Sequence, residues 1–559
     1  MAVEEKVMTT IDASSLDNRA GAVAVIGSGI HEDLRNTEAG AKGVYVDINI
    51  AVPQSKQKVT RIQKILRYVW DTFGKEREER LYVQKLDRYL FLFGLLSDWV
   101  KYLDQTNVSN AYVSGMSEDM HMVGQDRNLL TTFFNIGYLV GAVPSQLIMN
   151  RVRPSVLIPT CEIVWSVLVM LLAACKTTKA MFGVRFLIGL FEAPLWPGMM
   201  TVIGSWYTPD ELGKRVSLFG IASSVAGMFS GYIQAGVYVS MNGRYGIAGW
   251  KWLFLIDGII SIPCAVIGYY CIPDFPTTTR ARWLTQKDRE YGVKRMAAIG
   301  RKGPQNITMG RFFNLFKSWR PWAFLGPYCI GSFGGSTGYF NLWLKAEGYS
   351  VTQINVIPTA GSAIGVLSGY LWPTLADLTG VRWPYFIISN FWYILGNLIL
   401  AIWNVPSKVI LFANLIQNLG DSAQNIFNAL GQEAFQDDTE ARSISIALGN
   451  TVCYVFSAWL PLVLFPTNEA PHYKYGYKFS VGFYVLSSMS LFLFMYLSKR
   501  EVRLKGKVKN EFGLYVDSDE VAIRRDYETT SVYDEGSEES NADLEKGQSN
   551  SETVVKSAV

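Results

Sequence analysis

Between residues 88 and 498 the chain alternates between apolar runs and short polar connections, whereas residues 1–85 and 500–559 are largely polar. Each run is about 20 residues long, the length at which an α-helix crosses the hydrocarbon core of a bilayer. The pattern predicts helical spans over 88–110, 128–150, 155–175, 180–204, 215–239, 250–273, 321–343, 354–375, 383–404, 407–431, 442–465 and 478–498. The longest internal polar stretch, 275–320, divides these twelve into six and six. The expected organisation is therefore an all-α integral membrane protein of two six-helix bundles, 86–274 and 321–500. Segment 1–85 is expected to be largely disordered, 275–320 to form a central loop, and 501–559 an acidic disordered tail. No cleavable signal peptide is visible in residues 1–30. The string Phe312, Phe313, Leu315, Phe316 and Trp319, with Arg311, Lys317 and Arg320, predicts an interfacial helix leading into the seventh span.

Basic residues near the span ends orient the chain. Ten Lys and Arg lie in 56–88 and eleven in 276–320, and Lys499, Arg500, Arg503, Lys505, Lys507 and Lys509 come after the last span. With twelve spans these segments share one side, so both termini and the central loop are expected in the cytoplasm. The first opposite loop is acidic, with Glu118, Asp119 and Asp126. The sequons at Asn107 and Asn306 fall at a membrane end and on the cytoplasmic side, so neither is expected to carry glycan. The Ser/Thr-rich tail reads as solvated chain, with phosphorylation or ubiquitination machinery as its possible partner.

Composition narrows the classes further. Of 559 residues 49% are hydrophobic and only 18% charged, net charge is +4, and mean hydropathy is +0.14. That balance excludes a nucleic-acid module or a disordered chain as the whole-chain reading. Six Cys sit in apolar stretches and read as small hydrophobes. No phosphate-binding Gly-rich loop, zinc ligand set or nucleophile elbow stands out, so neither an enzyme nor a metal site nor a cofactor is expected.

Ionisable residues inside spans are costly and usually face a partner or a water-filled path. In the first span Asp104, Asn107 and Asn110 recur at three-residue steps on one helix face. Asp98 and Lys101, also three apart, predict a local ion pair. In the fourth span Arg185 and Glu192 are seven apart, hence on one face two turns from each other. Arg185 needs an anion, which Asp104, Glu192 or a substrate can supply. A permanent Arg–Glu pair is the alternative. Asp104 and Glu192 are the protonation candidates. In the tenth span Asn414, Gln417, Asn418, Asp421, Gln424, Asn425 and Asn428 form a polar stripe, with Glu433 at the cytoplasmic mouth. Gly331, Gly334, Gly335 and Gly338 precede Tyr339 and Asn341 in the seventh span and predict a helix that bends or breaks. The substrate contacts expected are Arg185, Asn107, Gln417, Asp421, Asn425, Tyr339 and Asn341. Glu162 and Asp257 read as structural residues near span ends.

Several strings carry a family resemblance. Lys-Tyr-Leu-Asp104-Gln-Thr-Asn-Val-Ser-Asn-Ala-Tyr-Val-Ser-Gly-Met resembles the first-span signature of fungal allantoate-permease-like transporters, in the anion:cation symporter branch of the major facilitator superfamily. Arg185-Phe-Leu-Ile-Gly-Leu-Phe-Glu192-Ala, Ser205-Trp-Tyr, Ala248-Gly-Trp-Lys-Trp-Leu-Phe-Leu-Ile-Asp257 and Leu375-Ala-Asp377-Leu-Thr-Gly380-Val-Arg382-Trp-Pro are similar to further motifs of that family. The first-span string is most similar to pantothenate transporter-like members.

The resemblance implies the major facilitator fold and proton-driven import of a vitamin or small organic acid: pantothenate, biotin, nicotinate, allantoate or a sulfur compound. It implies gating contacts at Asp377, Gly380 and Arg382. It also implies a monomer, a plasma-membrane location, and no cofactor beyond the proton gradient. Two departures stand out. Gln105 occupies the place of a first-span Arg found in related symporters, which leaves Arg185 as the main anion anchor. The loop Gly141–Pro154 lacks the Asp of the general superfamily motif. A drug:proton antiporter and a non-transporting nutrient sensor are the rival functions.

Overall fold

A computed structural model of the chain describes residues 75–149, 151–298, 317–335, 337–434, 439–504, 507–509 and 515–517. Outside these lie residues 1–74, the Asn306 sequon, Arg311 to Phe316 of the expected interfacial helix, most of the tail, and the side chain of Glu433.

Among the described residues, twelve helical passages form. The first bundle holds Leu92–Ala111, Asp126–Met149, Pro154–Leu172, Thr178–Glu192 continued by Leu195–Trp206, Pro209–Met241, and Gly249–Cys271. The second holds Trp319–Ser332 continued by Phe340–Ala346, Val351–Thr379, Trp383–Ile402, Ser407–Ile416 continued by Ala423–Ala434, Thr439–Leu464, and Gly476–Leu504. Local chemistry starts several of them. Pro154 and Pro209 occupy first-turn positions, where a missing N–H costs nothing. Thr208 with Glu211, and Ser350 with Gln353, form reciprocal capping boxes.

Eight passages are long and apolar enough to cross a membrane by length and composition. The four that fall short are the first, second, seventh and tenth. These are polar-faced or interrupted, and all four line the central cavity between the bundles. The seventh stops at Ser332 and resumes through Thr337–Tyr339, so the glycine-rich stretch is a break in the helix. The tenth is interrupted by a tight helical turn at Gln417–Gly420. The expected continuous stripe on one face is therefore corrected: three residues per turn in place of 3.6 rotates the residues beyond Gly420 off the earlier face.

The terminal segments also differ from expectation. Arg77–Leu86 is helical and buries Tyr82, Val83 and Leu86 on one face, so the ordered part begins before residue 86. In the central segment Gln286–Ala298 is a helix, and Trp319 and Arg320 open the seventh passage itself. Arg320 pairs with Glu501 at 2.8 Å, tying the start of the second bundle to the end of the last passage. In the tail, Lys507–Lys509 pairs antiparallel with Tyr515–Asp517.

On the face that carries the central segment, charge pairs hold the first bundle together. Arg215 pairs with Asp87 at 2.7 Å, and Lys85 with Asp288 at 2.9 Å. Glu211, ahead of the apolar span Lys214–Met241, pairs with both Lys75 and Arg295. Burial pushes the Glu211 carboxyl up, but Arg295 and Lys75 outweigh it and hold it at about 2. On the opposite face the hydrogen bonds run between the bundles. Asn128 donates to the Phe465 carbonyl at 2.7 Å, Asn355 to Ser114 at 2.9 Å, and Lys345 pairs with Glu118 at 2.7 Å.

Candidate functional site: a polar cavity between the bundles

A cavity of ≈ 510 Å³ lies between the two bundles. Its wall draws on the first, second, fourth and fifth passages of one half and on the seventh, eighth, tenth and eleventh of the other. The lining is rich in Asn, Ser and Thr, which give hydrogen-bonding capacity without a net charge. The charged lining residues are Arg127, Arg185 and Asp421.

Arg185 is 2% exposed. Its guanidinium lies over the Phe134 ring, 4.7 Å from the centroid. Gly137 and Gly189 bring the second and fourth passages into backbone contact there: a Cβ on either would overlap a carbonyl oxygen of the facing helix. Arg185 Nε and Nη1 have no hydrogen-bond partner, and among the described residues no ion pair involves Arg185. A planar cation at the wall of a polar cavity, with no carboxylate in direct contact, is an anion-binding arrangement.

Glu192 does not close on Arg185. Seven residues rise about 10 Å along a helix, beyond direct contact. Glu192 instead accepts from Gln105 Nε2 at 2.5 Å, and its Oε2 has no partner. Lys101 adds a nearby positive charge, itself paired with Asp98 at 2.8 Å as the three-residue spacing predicts.

Of the expected substrate contacts, Arg185, Asp421, Tyr339 and Asn341 line the cavity. Tyr393 donates to Asp421 at 2.5 Å. Asn107, Gln417 and Asn425 do not line it. Asn107 is turned to the sixth passage, where it donates to Asp257 at 2.5 Å; its burial also withholds it from glycosylation. Gln417 packs on Gly396 and accepts from Asn397 of the ninth passage at 3.1 Å. Asn425 lies against Gly220, where the tenth passage meets the fifth. Asp104, 1% exposed, is sealed from the cavity and faces Asp257. Asp377 and Arg382 pair at 2.7 Å across the turn whose Gly380 has φ +67°, a left-handed helix stop.

The structure corrects the placing of some charged residues and adds another to the cavity wall. Glu162 and Asp257 are mid-helix rather than near span ends, and both are buried. Arg127 was hidden beside the acidic loop. Its Nη2 donates to the Gly338 carbonyl at 2.6 Å, and its guanidinium lies 4.8 Å from the Tyr339 centroid. A signal existed: Arg127, Thr131 and Asn135 recur at four-residue steps and line the cavity together. Among the described residues no cluster of three or more His, Cys, Asp or Glu could hold a metal ion.

The family model of the Major Facilitator Superfamily matches residues 95–461. The chain belongs to this superfamily. Its curated relatives include the MFS transporter PfmaC of Pestalotiopsis fici, 32% identical over 74% of this chain and 80% of that one. The pantothenate transporter liz1 of Schizosaccharomyces pombe is 29% identical over 78% of this chain and 86% of its own length. The vitamin H transporter of Saccharomyces cerevisiae is 28% identical over 76% and 73%. Among solved structures, a D-xylose-proton symporter superposes with a TM-score of 0.58 at 15% identity, covering 74% of this chain and 98% of that one. The superfamily and these curated relatives are membrane transporters, not enzymes.

Proposed function

We propose that this superfamily member is a proton-coupled symporter that imports a small organic anion, a vitamin or carboxylate such as pantothenate, by alternating access. The observation that carries this reading is the unpartnered guanidinium of Arg185 at the cavity wall. Arg127 adds a second cation, and Asp421 is already occupied by Tyr393, so the lining favours a negative solute. Relatives carrying pantothenate and vitamin H agree with a carboxylate cargo.

In this reading Arg185 holds the substrate carboxylate, while Asn341 and Tyr339 meet its hydroxyl or amide groups. Protonation of Glu192 removes a competing anion from the surroundings of Arg185. Loss of that proton on the far side restores the competition and expels the substrate. The protein sits as a monomer in the plasma membrane, with both termini cytoplasmic and no cofactor beyond the proton gradient. Its place within the superfamily is the anion:cation symporter branch. The inter-bundle contacts at Arg127, Asn128 and Lys345 then close the outer side.

The test is uptake into cells lacking their own vitamin carriers. Labelled pantothenate, biotin, nicotinate and allantoate are compared with a lipophilic cationic drug, with and without a protonophore. Proton-dependent accumulation of one of the anions supports the reading. Efflux of the cation with no anion uptake overturns it in favour of a drug:proton antiporter.

A further inference from the structure

Asp104 of the first passage and Asp257 of the sixth are neighbouring carboxyls, each nearly fully buried, where these two helices pack. Both oxygens of Asp104, and Oδ1 of Asp257, are buried and receive no donor from the protein. Two ionised carboxylates side by side at such a place repel strongly, and one proton held on Asp104 and donated to Asp257 Oδ1 relieves that repulsion and engages one oxygen of each. The remaining oxygen, Asp257 Oδ2, begins a chain. Asn107 Nδ2 donates to it at 2.5 Å. Ser230 Oγ of the fifth passage donates to Asn107 Oδ1 at 2.6 Å. Asn110 Nδ2 donates to Ser230 Oγ at 2.6 Å, and Asn341 Nδ2 of the second bundle donates to Asn110 Oδ1 at 2.8 Å.

Every bond in this chain points its donor toward Asp257. The direction is dictated at one end: an ionised carboxylate only accepts, so Asn107 must present its amide N–H. That turns the Asn107 oxygen to Ser230, which donates, and so leaves the Ser230 oxygen open to Asn110. The Asn110 oxygen is then left to Asn341. A series of aligned hydrogen bonds ending on an anion is mutually polarised, so each bond strengthens the next. The last of them crosses from one bundle to the other.

We propose that Asp104 and Asp257 share one transported proton, and that Asn107, Ser230 and Asn110 are positioning residues that convey its presence to Asn341, holding the face opposite the central segment closed. With the proton in place, Asp104 donates to Asp257, Asp257 keeps one negative charge, and the chain is polarised along its length. When the proton leaves, the two carboxylates part, Asp257 moves off Asn107, and the link between the bundles weakens. Among the described residues the charged groups facing the pair are Glu192 and Arg185, both toward Asp104; Asp257 is met by Asn107, and the third passage packed on the sixth carries Glu162, which accepts from Ser97. This inference rests on the proton-coupled reading above, and it adds a residue of the sixth passage and a relay to it.

The experiment needs no substrate. The full chain, with its native cysteines replaced, carries spin labels at Val123→Cys and Glu347→Cys and is placed in lipid nanodiscs between pH 5 and 8. The distance between labels reads the gate. The wild-type chain is expected to show the short distance at low pH and a longer one growing in as pH rises. Asp104→Asn supplies a permanent donor to Asp257 and should stay short throughout. Asp257→Asn removes the charge that polarises the chain and should favour the long distance at every pH. Ser230→Ala leaves both carboxyls in place but cuts the chain, and should shift the ratio toward open by about fivefold, the effect of one net hydrogen bond.

Asp257→Asn and Ser230→Ala titrating like wild type would overturn the relay. If Asp257→Asn does not fold, Ser230→Ala and Asn110→Ala decide. A response lost only in Asp104→Asn overturns the relay and leaves proton coupling standing. A wild-type distance indifferent to pH overturns the proton-coupled reading and this inference with it.

Discussion

Gln105 donates to Glu192 at 2.5 Å, joining the cavity wall of the first passage to the carboxylate that shares a helix face with Arg185. The contact gives a physical role to Gln105, an amide beside a buried carboxylate. An Arg at 105 would neutralise Glu192 permanently, whereas an amide leaves its charge free to change.

This contact sets the expected behaviour of Glu192→Gln. The substitution mimics the protonated acid and keeps a partner for Gln105. Substrate binding and exchange across the membrane should persist, while accumulation against a gradient is lost. Counterflow and pH-jump uptake in vesicles measure both. Concentration of substrate by Glu192→Gln under an inward proton gradient would refute the assignment.

Arg185→Lys should fail nearly as badly as Arg185→Ala. The ammonium keeps the charge but neither stacks flat on Phe134 nor presents a planar fork to a carboxylate. Initial uptake at matched surface abundance is the measurement, and near-normal uptake by the Lys variant contradicts a two-pronged anchor.

Arg127→Ala should open the face opposite the central segment. It removes a bond to the Gly338 carbonyl and the contact with Tyr339. A bond from a charged donor contributes about 2 kcal/mol, so the open population should rise by roughly thirtyfold. Labelling of Thr131→Cys by an impermeant thiol reagent reads this directly.

Glu211 separates a structural charge from the transport charges. Its folded value of about 2 lies below the ordinary carboxylate range, so its contribution is present above the unfolded value and is lost only as pH falls toward 2. Between pH 5 and 8 the helix Gln286–Ala298 should therefore stay docked. Glu211→Gln should undock it, at a cost of about 3 kcal/mol for the buried charges left behind. Limited proteolysis across Gln286–Ala298 measures the loss, and equal protection in both proteins would show that Lys75 and Arg295 hold the helix by other means.

The sequence by itself determined the twelve helical passages, the division at the central segment and the break in the seventh passage, because bilayer thickness and glycine conformational freedom act through composition along the chain. It also placed Arg185 and Glu192 on one face and paired Asp98 with Lys101, since helical spacing is a local property. Which polar side chains face the cavity was decided by tertiary structure. Asn107 and Gln417 occupy polar stripes legible in sequence, yet one serves Asp257 and the other Asn397, on helices 150 residues downstream and 20 residues upstream. A stripe states that polar groups need partners, not whether the partner is a solute or another helix. Asp257 read as isolated because nothing adjacent in sequence announces Asp104. Only the packing of the sixth passage on the first brings the two carboxyls together.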